Sequence, residues 1–300
     1  MHISQALAQE TKNLAQNKIK NPHLEAEILL SNVLDEPREF ILAHQKRKLS
    51  KIQTNKFQNI INRKLKGEPT AYLIGYKYFY GLKFKVDKNV LIPRPETELI
   101  VDAVLAWPRK IRSNKKQIHV VDIGTGSGCI SISLAKLLKT KFSNLKFKFS
   151  AADSSKSALK IACQNAKMHN VHKKIKIIHG NLINPVLFDL KNPIIIAANL
   201  PYLTPAQIKN SPTIQYEPKS ALAAGSDGLK YYRKLFKQIK KIFDQTALMA
   251  DSKPQITLFC EIDPRQKTNI KKIIKNEFPK AKIDIKKDLK GHSRLIAIKF

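Results

Sequence analysis

Cysteine is scarce in this chain. Cys129, Cys163 and Cys260 are the three in 300 residues; they lie far apart, form no CxxC pair and have no histidines at matching spacing. That argues against a structural zinc site and for a reducing compartment. Acidic side chains are also few: 23 Asp plus Glu stand against 55 Lys plus Arg, a formal net charge of +32. Such a surface draws acidic partners (nucleic acid, ribosome or an acidic protein) through a salt-sensitive attraction. The lysines are spread along the whole chain without a basic tail, so a solvated compositional bias accounts for them equally well. No apolar stretch is long enough to span a bilayer, and the opening "MHISQALAQETKNLAQ" shows helical spacing without a signal-peptide core; no membrane association and a cytoplasmic location are expected. Internal repeats and low-complexity tracts are absent too, which leaves out solenoids and disordered arrays.

What is present is a globular composition, 43% hydrophobic and 26% charged, of a length that suits two domains or one large α/β domain with an appendage. From residue 3 to about 67, "ISQALAQETKNLAQ", "PHLEAEILLSNVLD", "EFILAHQ" and "NKFQNIINRKLKGEP" place apolar residues three and four apart, with Pro22 at a helix start and Gly67 past a helix end. This predicts a small helical bundle. Residues 76–90 switch to period two on either side of Gly81, a hairpin signal. After "LIPRPETELIVDAVLAW", where the prolines mark a helix start with Glu96 and Glu98 in its first turn, strands and helices alternate to the end of the chain. "IHVVDIG", "FKFSAAD", "IKIIHGN", "PIIIAAN" and "QITLFCEID" are near-continuously apolar, as strands covered on both faces must be, and "KIDIKKDL" with "RLIAIKF" suits an antiparallel pair closing the sheet.

Four successive strand ends carry polar or backbone-exposing groups. "VVDIGTGSGCISISLA" puts Gly124, Gly126 and Gly128, with Thr125 and Ser127 between them, ahead of a helix, where bare main chain can lie against a ligand. The dinucleotide spacing G-x-G-x-x-G fails, and no Gly-Lys-Ser/Thr follows, so a phosphate loop fails as well. The loop, preceded by Asp122, resembles the G-x-G-x-G loop of S-adenosylmethionine-dependent methyltransferases. On that reading Asp153, at the next strand end, accepts the ribose hydroxyls, and Asn181 with the Leu182 backbone flanks the adenine. The fourth strand ends in "NLPY", Asn199 to Tyr202. A planar nitrogen with a delocalised lone pair needs acceptors on its hydrogens to be oriented for attack, and the Asn199 side-chain oxygen and the Leu200 carbonyl supply two. Pro201 restricts Leu200 to extended geometry, and Tyr202 offers a flat face to a planar group. Alone, such a turn could merely cap a strand; it lies on the same rim as the glycine loop.

Over nearly its full length the chain resembles the release factor glutamine methyltransferases. The resemblance is carried by "GEPTAYLIGYKYFYGLKFKVDKNVLIPRPETELIV", "VVDIGTGSGCI", "YEPKSALAAGSDGLKYYRKL" and "DLKGHSR". It implies an α/β fold class, a doubly wound, mainly parallel seven-stranded methyltransferase sheet preceded by a helical bundle and a β-hairpin linker. It also implies domains at 1–72 (substrate recognition), 73–92 (linker) and 93–300 (catalysis). S-adenosyl-L-methionine is the implied cofactor, and the implied substrate is the Gln of the Gly-Gly-Gln tripeptide of a peptide chain release factor. The family's usual Asn-Pro-Pro-Tyr is here Asn-Leu-Pro-Tyr, a form also similar to that of ribosomal RNA adenine dimethyltransferases, so RNA or DNA adenine methylation is an alternative. Chain order opposes it, because more than 110 residues precede the glycine loop. A catalytically silent RNA-binding protein of the same fold is a third reading, opposed by Asn199 and Asp153. His179 and His292 are read as ordinary solvated or packed histidines and Cys129 as packing under the loop.

Overall fold

The computed structural model describes residues 1–107, 117–247 and 254–300, which form two compact units, residues 1–76 with 212–216 and residues 77–211 with 217–300. In the first, helices α1 (Ile3–Gln16), α2 (Pro22–Leu34), α3 (Arg38–Ala43), α4 (Lys51–Leu65) and α5 (Thr70–Ile74) enclose a core of Ile3, Leu14, Leu29, Leu30, Phe57 and Ile61. The three- and four-residue spacing of these side chains puts them on inward faces. Ser50 and Gln53 close a reciprocal capping box at the start of α4. The short segment 212–216 joins this unit, its Tyr216 hydroxyl donating to the Lys66 carbonyl at 2.7 Å. The helical unit thus recruits residues from beyond position 72, and the compact division falls at Tyr76.

The second unit begins at Lys77, within the hairpin of β1 (Tyr76–Phe79) and β2 (Leu82–Lys85). Expected as a linker, the hairpin is packed into this unit: Phe79 and Phe84 are buried in its core, and the Asn165 side chain clamps β2 by accepting from the Lys85 N–H and donating to its carbonyl. Next come α6 (Glu98–Ala106), β3 (Ile118–Ile123), α7 (Cys129–Lys141), β4 (Phe147–Asp153), α8 (Lys156–Met168), β5 (Ile175–His179), β6 (Ile194–Ala198), α9 (Pro205–Lys209), α10 (Lys230–Ala247), β7 (Ile256–Glu261), α11 (Lys267–Glu277), β8 (Lys282–Lys287) and β9 (Ser293–Lys299). The strands form one seven-stranded sheet in the order β5-β4-β3-β6-β7-β9-β8. The first five are parallel, and β9 runs antiparallel to β7 and β8. Alternate residues of β3 and β6 feed two cores, one shared with α6 and α7, the other with α10 and α11, which explains why these strands read as unbroken apolar runs.

The strand order reverses between β3 and β6: the chain first builds outward through β4 and β5, then returns to add β6 and β7 on the other side. In open α/β sheets the crevice at the carboxyl ends of such a pair is where ligands bind. Here it receives Gly124 after β3 and Asn199 after β6. Among the described residues no helix is long and apolar enough to cross a membrane.

Candidate active site

A cleft opens at this switch point. Gly124, Thr125, Gly126, Ser127, Asp153, Asn181, Leu182, Asn199, Leu200 and Pro201 all line it, together with Asn89, Arg94, Thr97, Pro218 and Ser220. The structure therefore brings together every expected site residue except Tyr202 and Gly128. Gly128 is the left-handed N-cap of α7, one step behind the lining. The Tyr202 ring packs on the core beneath the rim, and its hydroxyl donates to Glu261 at 3.0 Å.

The glycine loop is held from below by buried polar groups. Asp122, fully buried, accepts from the Thr125 hydroxyl at 2.6 Å and the Ser131 N–H at 3.1 Å, while its other oxygen has no partner. Burial pushes the Asp122 carboxyl up to about 6, against those two donors. Asn165 reaches the loop as well, donating to the Ser127 carbonyl at 2.8 Å, so one buried amide joins loop and hairpin. Gly124, with φ +70°, is exposed, and a Cβ there would sit 3.4 Å from the Leu200 side chain and 3.7 Å from the Asn199 carbonyl. The space that a side chain would fill is left as a cradle of main chain.

Asp153 spans this loop and the next helix, accepting from the Gly126 N–H and the Ser155 N–H, each at 2.9 Å. Burial raises its pKa, opposed by the backbone donors of Ser155, Gly126 and Ser154. Leu182 adopts a left-handed conformation (φ +55°) with its side chain buried, so it is main chain that faces the cleft. Gln238 of α10 pins this turn by accepting from the Ile183 N–H and donating to the Asn181 carbonyl. Cys129 lies buried beneath the loop, its thiol pushed up to about 12 by burial. The exposed rings of His179 and His292 contact the Ser154 carbonyl and the Asp288 carboxylate, respectively.

On the β6 side the site is made of side chains. Asn199 Nδ2 donates to the Thr97 hydroxyl at 2.9 Å; that hydroxyl donates to Glu261 at 2.6 Å; the other oxygen of Glu261 receives Tyr202. Burial raises the pKa of Glu261, against the Thr97 and Tyr202 hydroxyls and the charge of Arg294. Among the described residues no donor meets Asn199 Oδ1 or the Leu200 carbonyl. The turn itself is fixed. Gln266 donates to the Tyr202 carbonyl at 2.8 Å, Leu203 exchanges backbone bonds with Leu222 and Ala224, and at Gly228 (φ +71°) any Cβ would come within 2.3 Å of the Tyr202 carbonyl. Residues 92–97 are tied across the cleft by buried Glu217, which accepts from the Ile92 N–H at 3.0 Å and pairs with Arg94. Thr97, Glu261, Glu217, Asn165 and Gln238 escape a reading of the sequence because each acts across a long chain separation. Strand-end position was the available signal for Glu261, which closes β7.

Fold and cleft together define a methyltransferase of the seven-stranded α/β class. Residues 5–75 match the PrmC N-terminal domain and residues 102–209 the ribosomal protein L11 methyltransferase (PrmA) family. The chain belongs to the release factor glutamine methyltransferase family: it is 31% identical to the release factor glutamine methyltransferase of Bacillus cereus over 90% of each chain, and 32% identical to that of Bacillus subtilis over 90% of this chain and 89% of the relative. A Rickettsia bellii protein described as a bifunctional methyltransferase is 34% identical over 93% of this chain. The chain spans about half, 51%, of that relative's length. Among solved structures, the hMettl16 catalytic domain in complex with MAT2A 3'UTR hairpin 1 is similar in fold alone, with a TM-score of 0.55 at 12% identity over 90% of each chain.

Proposed function

We propose that the protein methylates the side-chain amide nitrogen of the glutamine in the Gly-Gly-Gln motif of a peptide chain release factor, with S-adenosyl-L-methionine as donor and residues 1–72 recognising the protein substrate. When bound, S-adenosylmethionine supplies a methyl group on a positively charged sulfur. The cradle at Gly124, the carboxylate of Asp153 and the backbone around Asn181 and Leu182 suit a nucleoside with a ribose diol, and these are the groups that would hold it. Asp153 keeps capacity for a ribose hydroxyl beside the backbone N–H groups it already accepts, since a carboxylate has about four acceptor sites.

The single observation that carries the proposal is the pair of unengaged acceptors, Asn199 Oδ1 and the Leu200 carbonyl, at the rim beside that cradle. An amide NH2 has two hydrogens and a lone pair spread into its carbonyl. Two fixed acceptors on the hydrogens turn the lone pair toward the donor and favour the pyramidal geometry of attack, without reorganisation at the moment of reaction. The family relationship to the Bacillus enzymes favours glutamine over adenine as the carrier of that NH2. The cytoplasmic site of translation termination is the location that suits this substrate.

The test is transfer of label from S-adenosylmethionine by the purified protein, offered a release factor or total RNA. Label on the Gly-Gly-Gln glutamine is the expected result. Label in RNA with none in the release factor would select adenine methylation and assign the basic surface to RNA.

A further inference from the structure

An asparagine at a catalytic position presents two faces, an oxygen that accepts and an NH2 that donates, and a half-turn of its side chain exchanges them. Only one orientation offers Oδ1 to a substrate NH2. Whatever fixes that orientation is part of the catalytic apparatus even if it never touches substrate.

We propose that Thr97 and Glu261 are positioning residues that set the polarity of the Asn199 amide. The inference rests on the reading of Asn199 given above. Glu261 accepts on both carboxyl oxygens, from Tyr202 on Oε1 and from Thr97 on Oε2, so the Thr97 hydroxyl, 2.6 Å from Oε2, spends its one proton there. The face that Thr97 turns to Asn199 is then a lone pair. It receives Nδ2 at 2.9 Å, which leaves Oδ1, on the other arm of the amide of this cleft-lining residue, without a protein donor among the described residues. The reversed amide would set its oxygen against the hydroxyl oxygen with no proton between them.

The chain of donors is anchored at its far end. Tyr202 donates to Glu261 Oε1 at 3.0 Å and Tyr232 donates to the Glu261 carbonyl, so both the side chain and the backbone at the end of β7 are fixed. Thr97 is 2% exposed and Glu261 2% exposed, which keeps water from substituting for either partner. The two residues are 164 positions apart and meet because the turn at Pro95–Thr97 lies against the ends of β6 and β7.

The substitutions Thr97→Val, Thr97→Ser and Glu261→Gln separate this role from packing. Valine keeps the shape of threonine and removes the hydroxyl; serine keeps the hydroxyl and removes the methyl. A hydrogen-bonding role predicts that Thr97→Val lowers kcat toward a release factor about 10- to 100-fold, below the 100- to 1,000-fold span for outright loss of a preorganised group because a fraction of amides still points correctly. The Kd for S-adenosylmethionine, read by calorimetry, stays within about twofold, and Thr97→Ser recovers most of the lost turnover. Glu261→Gln can donate toward Thr97 and reverse the chain, so it should lower kcat in the same way; it decides the matter where Thr97→Val does not fold. Turnover at the parent rate in Thr97→Val or Glu261→Gln, with Asn199→Ala depressed, would overturn the proposal and leave Asn199 in place. So would a Thr97→Ser loss larger than that of Thr97→Val, which marks a packing role. Parent turnover in Asn199→Ala would instead remove the reading of Asn199 on which the proposal stands.

Discussion

At the ends of β3, β4 and β5 the rim of the sheet is made of main chain: glycines at 124 and 126, a left-handed Leu182, and loop N–H groups gathered by Asp153. At the ends of β6 and β7 it is made of side chains in series, Asn199 on Thr97 on Glu261 on Tyr202. The first half suits a ligand that must be held the same way each time, because backbone groups have few alternative positions. The second half suits a reacting group, where one donor turned the wrong way defeats the chemistry and a network is needed to turn it. The difference predicts that damage to the first half appears in binding and stability, and damage to the second in turnover.

The largest effect expected is that of Asn199→Ala, which removes one of the two acceptors proposed for the substrate nitrogen. Turnover of a release factor should fall roughly 100- to 1,000-fold, with a much smaller change in cofactor affinity. A fall in affinity as large as the fall in kcat would erase the distinction between the halves.

The first half carries a buried charge, and its signature is a pH dependence of stability. The Asp122 carboxyl titrates at about 6 in the folded protein against an ordinary 3.8. The native state therefore holds this proton more tightly than the unfolded chain. The stabilisation is fully present below about pH 4 and is lost as pH rises through about 6, a contribution on the order of 2 to 3 kcal/mol at 1.36 kcal/mol per pKa unit. Asp122→Asn has no such proton. Measured by denaturant unfolding without cofactor, the stability of the parent relative to this variant should decline by that amount between pH 4 and pH 7; a flat difference would mean that Asp122 is better solvated than its burial implies.

Asp153→Ala comes next. It removes a charged acceptor from the cleft and also frees the Gly126 and Ser155 N–H groups. Hydrogen bonds to a charged group contribute about 1.5 to 3 kcal/mol, so S-adenosylmethionine should bind roughly 10- to 100-fold more weakly in calorimetry, while kcat at saturating cofactor changes little. Unchanged affinity would take Asp153 out of the cofactor site.

The same contrast decides what could be read from the sequence. The glycine loop, Asp153 and the Asn199 turn are local patterns, each a strand end with its signal within a few residues, and the structure sets them around one cleft. The strands and most helices were legible because burial on two faces leaves an unbroken apolar run and burial on one face leaves a helical stripe. Helix α11 leaves a weaker signal, since its lysines and asparagines dilute the stripe that Ile270, Ile273 and Ile274 carry. Thr97 had no local signal, since it looks like part of a proline-marked helix start, and Glu261 had only its place as the last residue of a strand. The recruitment of 212–216 by the helical unit was hidden for the same reason, because Tyr216 finds Lys66 across 150 positions.

The smallest effect expected is that of Tyr202→Phe, and it is the finest probe of the side-chain half. The substitution keeps the aromatic ring and removes the hydroxyl that donates to Glu261 at 3.0 Å. Glu261 retains the shorter bond from Thr97, so the polarity of the Asn199 amide survives and only one hydrogen bond at the far end of the series is lost. Burial already holds the tyrosine hydroxyl far above its ordinary pKa, so it serves as a donor and never as a base. A loss of about 0.5 to 1.5 kcal/mol, roughly 2- to 12-fold in kcat, follows for a donor removed from a buried acceptor. A fall as deep as that of Asn199→Ala would show that the Tyr202 hydroxyl acts on the substrate directly, and the series would then begin at Tyr202 instead of ending there.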